Sequence, residues 1–475
     1  TSRGLGDVYK RQIIYLITIF SSLQILSCKK NNLLTSSNFN IETSSDTILF
    51  DTLFTTIGST TKRFKCYNHN SGTINISNIS LQNGTNSPFR INIDGESGVD
   101  FKDISILEGD SIFIFVEVTI DPNGTSLPLV VEDQIIFETN GNFNKVVLNA
   151  WGQDAYFHVN EIVQGTWTND KPHVIYGVAA VGYPSLDSNL TLTIEQGTKI
   201  HGHSNAVLYV YKSTLNVNGN LNNPVVFQQD RTEDYLLYSA DSIAGQWRGL
   251  YFSNALNSTI THAEIKNAII GIQIDTFSLN NYVSLNKVKI HNSLYSNILS
   301  QGSNLSATNC LFANSNNYSA FLSIGGDINF EHCTFSNYSS GYRTSPAFVF
   351  KDYYESTNGQ IIFRPFNQAN FTNCIIDGNS TTDFVCDTLG FDISGILTNV
   401  LFDHCSLKTE DTIENIVLNN CLFNPKIHFK NTEEWNFELT DSSQIIDIGK
   451  SSNISDDIEN NSRSVPNDLG CYEYQ

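Results

Sequence analysis

The chain is 475 residues long and carries 27 Lys and Arg against 48 Asp and Glu, a net charge of −21. Spread along the whole length, that acidic excess argues against partnership with nucleic acid, whose phosphates are held by Lys and Arg. With 40% hydrophobic residues there is enough material for sizeable cores, and the length suggests more than one domain. Phe (30), Tyr (20) and abundant Asn, Ser and Thr favour strands and turns over helices, so the fold class read from composition is all-β. The nine cysteines include no Cys-x-x-Cys pair, which argues against zinc ribbons and thioredoxin-type chemistry. No metal site and no cofactor is expected.

In chain order, residues 1–12 (TSRGLGDVYKRQ) resemble translated adapter sequence and are set aside as a non-native leader. Residues 13–27 contain the apolar run IIYLITIFSSLQIL, too short to span a bilayer but fitting a signal-peptide core. The run leads into Ile25-Leu26-Ser27-Cys28, which resembles a bacterial lipobox. The resemblance implies cleavage before Cys28 and lipidation of that residue. It also implies the membrane as a partner through the lipid anchor, with the protein at the cell envelope on the outer membrane, facing periplasm or cell surface. Residues 28–46 are polar and Ser/Asn-rich and read as a flexible tether.

Residues 47–155 alternate short apolar runs with turn residues, the pattern of a β-sandwich. Asn70-Ser71-Gly72 precedes an I-x-I strand, Gly109-Asp110-Ser111 precedes the strand IFIFVEVTI, and the segment closes on KVVLNAWG. In order and spacing these resemble immunoglobulin-like domains of the ASPM/SPD-2/Hydin type, which implies a packing or spacer module. Cys66 is read as a small core residue.

From 156 to 475 one phrase recurs: Asn309-Cys310-Leu311-Phe312, His332-Cys333-Thr334-Phe335, Asn373-Cys374-Ile375-Ile376, His404-Cys405-Ser406-Leu407 and Asn420-Cys421-Leu422-Phe423. Earlier copies are His262-Ala263-Glu264-Ile265 and Lys287-Val288-Lys289-Ile290. Successive copies lie 25, 22, 23, 41, 31 and 16 residues apart, and a period in the low twenties is one coil of a parallel β-helix. Strand alternation turns Cys310 and Phe312 inward and Leu311 outward. Stacking would then give one column from Cys310 to Cys421 and another from Phe312 to Phe423. The residue before each Cys is expected at a turn, as a polar ladder. The 41 and 31 intervals are coils with loops or one extra coil.

Leu192-Thr193-Ile194-Glu195-Gln196-Gly197-Thr198, Leu215-Asn216-Val217-Asn218-Gly219, Pro224-Val225-Val226-Phe227 and Gly245-Gln246-Trp247-Arg248-Gly249-Leu250 follow one another. With the closing Asp468-Leu469-Gly470-Cys471, they resemble the pectate-lyase-like, right-handed parallel β-helix repeats of bacterial envelope proteins. That implies fold and location, and leaves function open. A C-terminal cap is expected to close the solenoid.

No catalytic constellation emerges. Asp230, Arg231, Glu233 and Asp234 crowd one loop beside Gln246-Trp247-Arg248 and read as structural. His201-Gly202-His203 offers two imidazoles without a third ligand. Tyr338, Tyr342, Arg343, Tyr353 and Tyr354 fall in the long interval between Cys333 and Cys374, on an expected loop suited to contacting a glycan or an envelope protein. The reading of function is a membrane-anchored envelope lipoprotein with a non-enzymatic binding, adhesion or scaffolding role. The alternative is a polysaccharide lyase or glycoside hydrolase working in the β-helix groove.

Overall fold

A computed structural model describes residues 32–55, 58–121, 129–231, 239–275, 280–339, 343–389 and 399–475. The expected leader, the signal segment, Cys28, Glu233, Asp234 and Tyr342 lie outside the described residues. Among the described residues the secondary structure is β, with only short 3-10 turns besides. Two compact units are present, the first ending at Gly152 and the second beginning at Gln153.

The first unit is a sandwich of two five-stranded sheets. One runs in the order Glu42–Thr43, Lys62–Tyr67, Ser111–Val118, Phe89–Ile93, Glu96–Gly98; the other runs Thr47–Phe54, Asn142–Gln153, Leu129–Thr139, Ile74–Leu81, Asp100–Ile106. Alternate residues of both sheets (Phe64, Cys66, Val116 against Ile76, Phe137, Leu148) fill one core. Cys66 is fully buried there, and burial pushes its thiol up to about 12. The tether expected over 28–46 is shortened, because its later part belongs to the sandwich. Leu33 bridges Thr73, Ile41 is buried, and Glu42–Thr43 pairs with Lys62–Tyr67.

The second unit is a parallel β-helix. Each full coil contributes a strand to three faces. The first face is a ten-stranded sheet from Gly165–Trp167 to Val417–Asn419, so the winding starts one coil before Leu192. The second carries Lys199–Gly202, Val225–Gln229, Ala263–Lys266, Lys289–His291, Leu311–Ala313, Thr334–Asn337, Ile375–Gly378, Ser406–Leu407 and Leu422–Phe423. The third carries Val207–Tyr211, Gly249–Ser253, Ile270–Asp275, Ser296–Gln301, Tyr318–Ser323, Phe348–Lys351 and Phe384–Asp387.

The corner between first and second faces is turned by one residue in the left-handed region, and this residue is the one before each Cys or its equivalent. His262, Lys287, Asn309, His332, Asn373, His404 and Asn420 all have φ between 45° and 56°. Asn visits that region at low cost, which explains its recurrence; His and Lys there are held by their surroundings.

Inside the coil, Phe227, Ile265, Ile290, Phe312, Phe335, Ile376 and Leu407 stack in one column. The later coils are aromatic: Phe330, Phe371 and Phe402 stack face to face, and Phe348 and Phe384 meet them edge-on. Cys310, Cys333, Cys374 and Cys405 form the expected buried column. Burial pushes the thiols of Cys333 and Cys405 well up, so they serve as small, protonated packing groups.

Several expectations need correction. The long intervals are loops and not extra coils, since Thr334–Asn337 pairs directly with Ile375–Gly378, and that strand with Ser406–Leu407. The final interval of 16 is short because the chain passes from Ser406–Leu407 to Val417–Asn419 with no third-face strand between them. Cys421 and Phe423 hold their register, yet Cys421 is only half-buried and Phe423 is 51% exposed, because no further coil lies above them. Leu311 does face outward but is buried. Residues 424–475 do not cap the end of the stack; they run back along the outside of the second face as a strap. Phe437, Ile458, Cys471 and Tyr472 cover Leu311 and Ala313, and Leu439, Ile445 and Leu469 cover Ile375.

The corner ladder is the rail that the strap grips. Lys287 Nζ donates to Asp456 at 2.8 Å, and Asn309 Nδ2 donates to the Asp456 carbonyl at 2.9 Å. Arg463 donates to Asn309 Oδ1 at 2.7 Å, and Asn373 bonds the Lys450 main chain in both directions. Contact between neighbouring rungs of the ladder is seen at Asn373 and His332, 3.0 Å apart.

Candidate functional site

The strap covers the later rungs of the second face; the third face lies outside it. Inward residues of its strands (Leu250, Phe252, Ile272, Ile274, Ala320, Leu322) are core, so their neighbours must point out. Register places Ala180, Tyr209, Tyr251, Gln273, Leu299, Phe321, Val349 and Val385 in one outward column across eight coils. Further tyrosines widen it. Tyr183, 42% exposed, sits edge-on to Tyr209, whose ring lies 5.2 Å from Tyr251. Tyr295, 39% exposed, meets Tyr318, and Tyr318 meets Phe321 at 5.2 Å. The result is a stripe along the helix axis that carries two aromatic clusters, Tyr183–Tyr209–Tyr251 and Tyr295–Tyr318–Phe321, with Gln273 between them. At its early end a cleft of about 220 Å³ is lined by Ile162, Val178, Ala180, Tyr183 and Leu186.

Beside the stripe runs a polar column: Tyr211, Ser253, Asp275, Gln301, Ser323, Lys351 and Asp387. Burial raises the Asp275 carboxyl, although Tyr251 and Gln273 (Nε2 to Oδ2, 3.0 Å) hydrogen-bond to it. Burial, with Asp275 adding, pushes the Tyr251 hydroxyl up to about 12. The next carboxylate in that column is Asp387, four rungs away, or about 19 Å at ~4.8 Å per rung. Glycoside hydrolysis needs two carboxylates about 5–9.5 Å apart. Among the described residues no group of three His, Cys, Asp or Glu side chains is placed to hold a metal ion.

The residues singled out from sequence are not gathered into one patch. Tyr338 turns to the second face, packs on Phe429 and Phe437 of the strap and donates to Asp377. Arg343 is buried and paired with Asp383 at 2.6 Å. Tyr353 and Tyr354 lie on a hairpin, Tyr353–Glu355 with Ile361–Phe363, beyond the third face. There Tyr353 bonds Asp387 under Lys351, and Arg364 lies over Tyr354. His201 is buried, bonded to the Gln229 carbonyl, and burial pulls it down to about 4. His203 instead contacts Asp230 at 2.6 Å and stacks on Tyr176, so the two imidazoles do not converge. Trp247 is core, its indole N–H donating to the Lys266 carbonyl.

Sequence reasoning missed the stripe. It aligned coils on the Cys phrase of the second face; aligning them on the third-face strands would have set Tyr209, Tyr251 and Phe321 in one column.

No family model matches the chain, and no curated protein matches it. Several solved structures are similar to parts of it. Pectate lyase Pel9A is 13% identical, with 68% of this chain and 96% of that one covered, at a TM-score of 0.32. The ASH/PapD-like domain of human CEP192 is 13% identical, with 27% and 92% covered, at a TM-score of 0.17. A protein of unknown function from Porphyromonas gingivalis W83 is 14% identical, with 26% and 49% covered, at a TM-score of 0.19. The chain thus spans about half the length of this last protein.

Proposed function

We propose that this protein is an envelope lipoprotein, held to the membrane through Cys28, whose β-helix binds a glycan chain along its third face without cleaving it. The observation that carries the reading is the aromatic stripe from Tyr183 and Tyr209 to Phe321. Aromatic rings offer flat apolar area to the C–H faces of sugar rings, and Gln273 and Gln301 beside them can supply hydrogen bonds. The long axis of the stripe suits a polymer better than a small molecule.

Affinity electrophoresis through gels containing neutral or acidic polysaccharides tests this. At least one polymer should retard the protein, and Tyr251→Ala should weaken that retention about tenfold, or ~1.4 kcal/mol. Tyr251→Ala retarded like the parent would sink the reading.

One observation favours catalysis instead: the raised carboxyl of Asp275 beside Tyr251. If the third face is a lyase or hydrolase groove, prolonged incubation with the retained polymer should release oligosaccharides, and Asp275→Asn should stop the release. The binding reading expects no release from either protein.

A further inference from the structure

We infer that a second cleft, beside Arg343, holds one neutral sugar residue at the end of a glycan lying along the third face. The inference rests on the glycan-binding reading above and deepens it. The cleft has a volume of about 560 Å³ and opens between the stretch after Arg343 and the following turn, lined by Arg343, Thr344, Asn379, Thr381, Thr382 and Val385. That is within the size range of sites for single small ligands.

Its floor is built and fixed. Arg343 donates through Nη2 to Asp383 Oδ1 at 2.6 Å, to Asn379 Oδ1 at 3.0 Å and to the Asn337 carbonyl at 3.0 Å. Asp383 also accepts from the main-chain N–H groups of Ala347 and Ser380, at 3.1 and 3.0 Å. The Arg343 side chain is 2% exposed, and its Nε–H has no partner among the described residues. That Nε is sealed from solvent, so Arg343 serves as a fixed floor under the cleft and its Nε is not offered to a ligand.

Charge decides the ligand class. Asp383 neutralises the guanidinium at contact distance, and Asp377 lies on the same coil, paired with Lys408 at 3.5 Å. The cleft therefore presents oriented dipoles and not a net positive charge, which disfavours phosphate, sulfate and uronate. The Thr344 and Thr381 hydroxyls stand on the exposed rim with the Asn379 amide, while Pro346 and Val385 add an apolar patch. Alternating hydroxyls and a small apolar patch match the edge and face of a neutral pyranose. Val385 is also the last member of the outward column that carries the stripe, so the cleft is continuous with that surface.

The test uses the full exported chain and saturation-transfer NMR with glucose, galactose, mannose, N-acetylglucosamine and glucuronate as separate probes. At least one neutral sugar should show transfer, and glucuronate should show none. Thr381→Trp, which fills the cleft from an exposed position, should cut that transfer at least tenfold, whereas Phe143→Ala, an exposed position on the sandwich unit, should leave it unchanged. If Thr381→Trp lowers the unfolding midpoint, Thr344→Tyr on the opposite wall replaces it. The inference is overturned if no neutral sugar shows transfer, if glucuronate shows the stronger transfer, or if the signal survives both cleft-filling variants. Cleft-sensitive transfer with no polymer retarded in gels would leave this site standing and the stripe reading refuted. Retardation without cleft-sensitive transfer would do the reverse.

Discussion

His332 shows what one position in a solenoid is asked to do. It sits at the left-handed corner with φ 51°, fully buried, against Asn373 on one side and the strap on the other. Burial drags its imidazole down to about 3, and Arg463 adds to the effect; burial likewise holds His201 near 4. A base whose folded pKa lies below the unfolded value of ~6.5 gives the folded state its full contribution above that pH. As pH falls from there towards the folded values, the unfolded chain takes up the protons and the contribution drains away. The β-helix should therefore begin to lose thermal stability just below pH 6.5. His332→Asn places at this corner the residue that other coils already use. It should fold at neutral pH and show a shallower fall in midpoint between pH 6.5 and 4 than the parent, by calorimetry. An unchanged slope would show that His332 is not the titrating group.

At the scale of an element, the strap is organised around one deeply buried ion pair of its own, which also reaches a coil corner through Asn309. Arg463 reaches Glu473 at 3.0 Å with side-chain exposures of 1% and 2%, and the same guanidinium holds Asn309 and the Gly470 carbonyl. Removing one member leaves the other charge buried and alone, which costs ~3–5 kcal/mol. Arg463→Ala should lower the denaturant midpoint of the β-helix accordingly and raise binding of a hydrophobic dye as Leu311 and Ile375 are uncovered. A midpoint matching the parent would mean that the strap adds little. None of this was legible in the sequence. The coils were, because one phrase recurs with a period in the low twenties over the middle coils, and so was the corner, because Asn and His recur before each Cys. The strap has no period. Its partners lie up to 173 residues away, as Lys287 and Asn460 do, and nothing local announces such pairings. The surroundings of Arg343 and Tyr338 were hidden for the same reason: an Arg and a Tyr in a loop look alike whether they face solvent or an Asp from the next coil.

For the molecule as a whole, the proposed anchor at Cys28 lies far in sequence from the proposed binding surface on the second unit, so the two should separate cleanly by mutation. Cys28→Ala should abolish incorporation of labelled palmitate in the producing cell and release the protein from membranes, while glycan retardation of the purified chain stays as it was. Label retained by the alanine variant would place the lipid elsewhere or remove it from the account.

The strap also sets an order in time. Residues 424–475 are synthesised after every coil they cover, from Lys287 to Asp403, so until they arrive the outer faces of Leu311 and Ile375 stay bare. The helix can wind as it is made, yet it becomes fully closed to water only when its closing stretch has been delivered. For the exported lipoprotein proposed above, this order would withhold the final stability of the fold until the last residues have crossed the membrane.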